Sequence, residues 1–393
     1  MNFLIAGGYD TKNLGDYASF LGLKKILGKD HNYTILSRHP NDNFSSEFNV
    51  KCVKNLDHET KEESRGRIFN GFNSGDDNSH LLEIYQEIKK CNALILGNGR
   101  LFVDISLGFM TGPLSYYATL VTLAKFIGKP IILYSVSLVH PKTEQGKSHL
   151  KFILDNADLI LVRESSSAEV ALSYLKRNNK LHILPDIAFY LSSEDKKESN
   201  ILIPQDAIGV NFRGVDFTAE TSSSEVKNNA NKVVNLIKNY NKNIVFISQC
   251  FYQVDKKNTD DREINKLIFN KIPSEYKKRC TFIDKELTLS QTLFIYSKIT
   301  HLFTTRRHGF ILSLTQGTGA SLICNEVNTQ IVKETVEIPE LFIDKNSEFI
   351  IPEIDKASLN EQLKKLSQEC MKYKEHIDYV IVTAAHQTIG NLA

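Results

Sequence analysis

Short apolar runs and longer stretches of helical period alternate along this chain from its start almost to its end, and this alternation limits the fold more than any other feature. Residues 3–6, 33–37, 92–96, 130–136, 159–162 and 181–184 read as strands in the first half, and 207–212, 243–248, 280–283, 299–305 and 320–324 in the second. Residues 17–27, 114–126, 147–156, 226–240, 262–270 and 290–297 read as helices between them. Strand–helix alternation in both halves predicts an α/β protein built from two doubly wound, Rossmann-like parallel sheets.

A chain of 393 residues, 41% hydrophobic and 24% charged, is long enough for two such cores. The tract Ser192-Ser193-Glu194-Asp195-Lys196-Lys197-Glu198-Ser199 contains no apolar residue and reads as a linker. The expected domains are therefore residues 1–195, residues 203–375 and a closing helix over 376–393 that packs back on the first domain, part of a helical stretch running from 358 to about 388. Residues 57–78 are polar and read as a long loop or insertion. No short-period repeat or heptad seam is visible.

A formal charge of +2 lacks the basic excess of a general nucleic-acid binder, so a small molecule or a carbohydrate is the expected partner and nucleic acid is not. Cys52, Cys91, Cys250, Cys280, Cys324 and Cys370 are scattered without a CxxC or a Cys/His cluster, which points away from a metal site or a disulfide framework and towards a reducing cytoplasm. The start, Met1 to Gly8, has no basic n-region and reads as a first strand. No run approaches the roughly 20 apolar residues of a membrane span, and a peripheral role on a membrane-anchored substrate remains compatible with the sequence, as does a homo-oligomer.

Chemistry concentrates where strands end and helices begin. Arg306, Arg307 and His308 lie between the strand 299–305 and the helical run from Gly309, at a corner where the free N–H groups of a helix start favour an anion such as a phosphate or carboxylate. The plainer alternative is two surface arginines and a helix-capping histidine. Arg163 follows the strand 159–162 and is either another anion ligand or the partner of Glu164 or a nearby carboxylate. Gly7-Gly8-Tyr9, with Asn13, Gly15 and Asp16, forms a glycine-bearing loop whose spacing is neither GxGxxG nor a P-loop. It lets backbone approach a ligand, and Asp16 is either an N-cap or a group that meets a substrate hydroxyl. Gly97-Asn98-Gly99-Arg100 is a second such corner in the same half.

Taken in order, Gly7-Gly8-Tyr9 with Asn13, Gly15 and Asp16, then Gly97-x-Gly99-x-Leu101, Arg163-Glu164-x-x-Ser167 with Pro185-Asp186, and Arg306-x-His308-Gly309 resemble the motifs of the polysaccharide pyruvyl transferase family. The resemblance implies a GT-B-like architecture with the active site in an inter-domain cleft. It implies transfer of pyruvate from phosphoenolpyruvate to a sugar as a ketal, on a cell-surface polysaccharide or its lipid-linked oligosaccharide precursor. Carried over onto this chain, it makes His308 an acid/base and Arg306 a donor-binding group, with Asp16 as a further base. Arg163, Arg307, Gly8, Tyr9, Asn13, Asn98, Gly99 and Arg100 are then the substrate-binding set. Phosphoenolpyruvate is a co-substrate, and no cofactor or metal is required. The chain departs from the family pattern at Asn98, at Tyr17, at Arg307 and in Tyr134-Ser135-Val136-Ser137. Two alternatives stay open: a GT-B glycosyltransferase using a nucleotide sugar, with Phe212, Phe251 and Tyr252 as a base-stacking slot, and a non-catalytic carbohydrate-binding protein of the same fold.

Overall fold

The computed structural model describes residues 1–9, 12–37, 44–56, 78–104, 112–213, 222–251, 260–324 and 332–390. Tyr252 and residues 57–77 of the polar tract lie outside the described residues. Two compact units divide the chain: Met1–Asp10, Ser19–Ile187 and Glu369–Ala393 form the first, and Thr11–Ala18 with Ala188–Gln368 the second.

In the first unit the strands are β1 (Asn2–Ala6), β2 (Asn32–Ser37), β3 (Lys51–Lys54), β4 (Ala93–Gly99), β5 (Ile131–Val136), β6 (Leu159–Val162) and β7 (Leu181–Ile183). All pairings are parallel, in the order β3-β2-β1-β4-β5-β6-β7. Every residue of β4, β5 and β6 is buried, which is why these strands are apolar at successive positions rather than alternate ones. The helices Asn78–Lys90, Gly112–Phe126, Glu144–Asn156 and Ser165–Tyr174 connect them. Ile84, Ile88, Leu114, Leu120, Leu150 and Ile153 from these helices share one core with the strands.

The second unit repeats the plan with β8 (Ile208–Asn211), β9 (Ile244–Phe246), β10 (Cys280–Phe282), β11 (His301–Thr304), β12 (Gly319–Cys324) and β13 (Phe342–Asp344), parallel throughout, in the order β10-β9-β8-β11-β12-β13. The strand order reverses between β1 and β4 in one sheet and between β8 and β11 in the other. At such reversals the connections leave in opposite directions, and a crevice opens outside the carboxyl ends of the two strands.

The expected two-sheet α/β fold is present, with local differences; the helix Asn78–Lys90 is one element the sequence reading did not include. β3 and β13 are not among the expected strands; both are short edge strands with at most one fully buried residue, so neither carries an apolar run. The final helical stretch is two helices, Lys356–Cys370 and Lys372–Gly390, rather than one. The second of these joins the first unit through the buried Tyr373 and Ile377, and Tyr373 donates its hydroxyl hydrogen to Pro185 O at 3.1 Å.

Candidate active site

At the reversal of the second sheet, Asn211 of β8 lies opposite Thr304 of β11. Thr304 Oγ1 donates to Asn211 Oδ1 at 2.9 Å and accepts the N–H of Arg306 at 2.9 Å, while Thr305 Oγ1 accepts the N–H of Arg213 at 2.7 Å. These bonds end the strand, and the helix Arg307–Thr315 starts directly, with Arg306 in the N-cap position and no capping bond from its side chain. The turn is close-packed: a Cβ on Gly309 would lie 2.8 Å from Thr304 Oγ1 and 3.1 Å from Gln249 Oε1. Arg306, Arg307 and His308 are therefore the last residue before the helix and its first two residues.

Arg306 is held. Its Nε donates to the two oxygens of Asp261 at 3.2 and 3.0 Å, and Nη2 donates to Oδ1. The Asp261 side chain is wholly buried and that of Arg306 only 12% exposed. A carboxylate so deep would be destabilising without a cation and further donors. Asp261 has both, because its Oδ2 also accepts the N–H groups of Gln249 and Cys250 at 3.1 Å each. Asp261 opens the helix Asp261–Lys271, whose N-cap is Asp260. The two adjacent acids are sorted between two arginines: Arg262 Nη2 lies 2.6 Å from Asp260, and Arg306 takes Asp261. Tyr296 lies beside this pair; burial, and then the Asp261 carboxylate, push its phenol well up, against the opposing effect of Arg306.

The stretch that supplies Asp261's backbone partners also holds the start of another helix. Gln249 O accepts the N–H of Leu14 at 2.9 Å, Lys12 O accepts that of Phe251 at 3.2 Å, and Asn13 and Cys250 form an antiparallel bridge. The helix Leu14–Leu27 is capped by Asn13, not Asp16: Asn13 Oδ1 accepts the N–H of Gly15 at 3.1 Å, and Asn13 O accepts that of Asp16 at 3.0 Å. Asn offers a side-chain oxygen one residue before the first turn, and Asp16 consequently falls inside that turn, half-buried. Gly15 touches His308. A Cβ built on Gly15 would be 2.1 Å from His308 Nδ1 and 2.5 Å from Cγ, so the imidazole lies flush against the glycine. Asn13, Gly15, Asp16, Arg306 and His308 are thereby gathered in one unit from distant parts of the chain.

Gly8, Tyr9, Asn98, Gly99, Arg100 and Arg163 lie in the first unit, and Phe212 and Phe251 in the second. Gly7 and Gly97 are required by packing: a Cβ on Gly7 would sit 1.8 Å from Gly97 O, and one on Gly97 would sit 2.1 Å from the Tyr134 ring. Tyr9 is buried, with its hydroxyl 2.5 Å from that of Tyr134 and its ring against Phe20 and Phe44. Asn98 is buried, Gly8 half-buried and Arg100 exposed, and Gly99 has φ +79, a conformation that favours glycine. Arg163 is 3% exposed; Nη1 donates to Asp186 Oδ2 and Nε to Ser137 Oγ, both at 2.9 Å, and Glu164 lies at 3.5 Å. Ser137 and Ser167 both donate to Glu164. This Arg163 is a buried ion-pair centre at the ends of β5 and β6. Phe212 and Phe251 are buried, Phe212 stacking on Phe349 and Phe251 lying 5.4 Å beneath the Arg262 guanidinium.

Asp261, Gln249, Asn211 and Thr304 are absent from the sequence-based set. Asp260-Asp261-Arg262 reads as helix-start acids with a following base, and an adjacent pair of acids ahead of an apolar helical run is the signal that could have marked one of them as turned inward.

A family model described as polysaccharide pyruvyl transferase matches residues 13–321. Comparison with curated proteins gave no match. Among solved structures, the UDP-GlcNAc 2-epimerase of Methanocaldococcus jannaschii is similar with a TM-score of 0.57 at 12% identity, over 93% of this chain and 92% of that one. The Neisseria meningitidis UDP-GlcNAc 2-epimerase bound to UDP-GlcNAc gives 0.53 at 12% identity, over 100% and 99%. The Anabaena protein HepE in complex with UDP gives 0.52 at 8% identity, over 100% and 99%. At these identities the likeness is one of fold, and the fold is GT-B-like.

Proposed function

From the premise that this chain belongs to the polysaccharide pyruvyl transferase family, an enzyme family, we propose that it moves the pyruvyl group of phosphoenolpyruvate onto two hydroxyls of one sugar in a cell-surface polysaccharide or its lipid-linked precursor, forming a cyclic ketal. The observation that carries this reading is the contact of the His308 imidazole with the first turn that bears Asp16, beside the Arg306 corner at the sheet reversal. A proton donor, a carboxylate and cations within one corner are what the reaction demands.

His308 gives a proton to the methylene carbon of phosphoenolpyruvate, which makes C2 electrophilic. A sugar hydroxyl adds to C2 and loses its proton to Asp16 or to His308 now deprotonated. Phosphate leaves with the electron pair of its C2–O bond, and the neighbouring hydroxyl closes the ketal, releasing a second proton. Phosphoenolpyruvate and a diol thus become a ketal and inorganic phosphate. Arg307 and Arg306 supply positive charge towards the phosphate and carboxylate, with Arg306 offset by Asp261. The reaction asks for no metal or cofactor. The acceptor class fits work in the cytoplasm, at the inner face of the membrane; among the described residues no helix is long and apolar enough to cross one.

The nucleotide-sugar alternative needs a slot for a base. Phe212 and Phe251 are buried in their own packing, so they do not favour it. Thermal unfolding distinguishes the donors: millimolar phosphoenolpyruvate raises the midpoint by mass action on the native state, and UDP sugars do not. His308→Ala keeps that protection and loses turnover by about 10² to 10⁴-fold. Protection by UDP sugars alone, or near-normal turnover in His308→Ala, would remove the reading.

A further inference from the structure

The carboxylate of Asp261 reaches both sides of the His308 site. On one side it holds the Arg306 guanidinium through Nε and Nη2, two residues before His308. On the other its Oδ2 takes the N–H groups of Gln249 and Cys250 at 3.1 Å each. Those residues carry the start of the helix Leu14–Leu27, through Leu14 N–H to Gln249 O at 2.9 Å and the Asn13–Cys250 bridge. Gly15, next along, is the surface against which the imidazole packs. Helix capping does not need this carboxylate, because Asp260 already accepts the N–H of Arg262 at 2.9 Å.

We propose that Asp261 is a positioning residue for the transfer reaction: it sets the spacing between the Arg306–His308 turn and the Asn13–Asp16 turn, and so the place of the imidazole. The assignment rests on His308 acting as the proton donor proposed above. Asp261 meets no substrate in this scheme; it acts through Arg306 and through the backbone of residues 249–250. Its charge and both oxygens matter. Asparagine would keep one acceptor and turn an NH2 group towards guanidinium or amide donors, so one side of the link must open.

The test is Asp261→Asn in the full chain, with two readouts. In hydrogen–deuterium exchange, the amides of residues 12–18 and 249–251 exchange roughly tenfold or more faster, while those of β4 and β5 keep their rates. In steady-state turnover of phosphoenolpyruvate with acceptor, kcat falls on the order of 10²-fold, the scale of a displacement of about 1 Å at a reacting group. KM for phosphoenolpyruvate does not rise, because the Arg306 charge has lost its neutralising partner. Asp261→Glu, which keeps charge and oxygens, recovers part of kcat. A merely structural role would lower the thermal midpoint and leave kcat per folded molecule unchanged. Should Asp261→Asn fail to fold, Arg306→Lys, which keeps the charge pair but not its forked geometry, is read in the same two ways. Unchanged exchange at residues 12–18, or unchanged kcat per folded molecule, would overturn the assignment. If the wild-type protein does not turn over phosphoenolpyruvate, the donor reading falls on its own, and the exchange data alone decide for or against Asp261.

Discussion

Replacing Gly15 by alanine adds one methyl group at the point where the structure has least room for it. The new Cβ would lie 2.1 Å from His308 Nδ1, 2.5 Å from Cγ and 2.9 Å from Cβ, whereas ordinary contact begins at 3.4 Å, so the ring must retreat by 3.4 − 2.1 = 1.3 Å along that direction. A shift of about 1 Å in a reacting group costs on the order of 10²-fold in rate. Stability responds differently. Alanine favours a helix over glycine by about 0.5–1 kcal/mol and local overpacking costs about 1–3 kcal/mol, so the net cost to stability is about 0–2.5 kcal/mol, at most comparable with the roughly 2.7 kcal/mol that a 10²-fold loss of rate represents. The assay is phosphoenolpyruvate-dependent release of phosphate, run with thermal unfolding of the same samples. A fall in kcat of about 10²-fold with a thermal midpoint within a few degrees of wild type is expected. Wild-type kcat in Gly15→Ala would refute the claim that the imidazole is seated on this glycine.

Arg163→Met leaves Asp186 and Glu164 buried without their guanidinium, so it is expected to destabilise the protein by about 3–5 kcal/mol and lower the thermal midpoint by roughly 10 °C; loss of donor binding at an unchanged midpoint would instead make Arg163 a ligand. His301, buried and 2.8 Å from Ser321 Oγ, has its imidazole pushed down by burial to about 4 from 6.5. Between those values the unfolded chain is protonated there and the folded chain is not, so stability falls as pH drops from 6.5 towards 4, by about 3 kcal/mol for this group. Urea unfolding at pH 7.5 and pH 4 checks it, since His301→Gln should flatten that part of the pH dependence and an equally steep variant would contradict it. Tyr373→Phe removes the bond to Pro185 O and should cost about 1 kcal/mol by urea unfolding, with activity retained.

Much of the fold could be read along the chain because fully buried parallel strands have an unmistakable composition: Ile131–Val136 and Leu159–Val162 are buried at every position and appear in the sequence as apolar runs, the first interrupted only by Ser135. The edge strands Lys51–Lys54 and Phe342–Asp344 could not, since a half-covered edge does not need such a run. The corner of Arg306, Arg307 and His308 was legible for the same local reason, a strand pattern ending and a helical pattern beginning with cations between them. What each cation touches was legible only in part: an ion pair of Arg163 with Glu164 or a nearby carboxylate was one of two readings, and the partner of Arg306 was not foreseen. Arg306 meets Asp261 and Arg163 meets Asp186, partners 45 and 23 residues away.

The sequence by itself determined two α/β sheets, their succession along the chain, and a cationic strand-to-helix turn at residues 306–308. Only the tertiary structure decided that Gly15 is a seat for His308, that Gly7 and Gly97 serve backbone packing, that Asn13 rather than Asp16 caps its helix, and that Arg306 is committed to Asp261. The physical reason is range. Helical period and strand burial are imprinted on neighbouring residues by one element's own surroundings, whereas an ion pair or a missing Cβ is a property of two segments that meet only after the chain has folded.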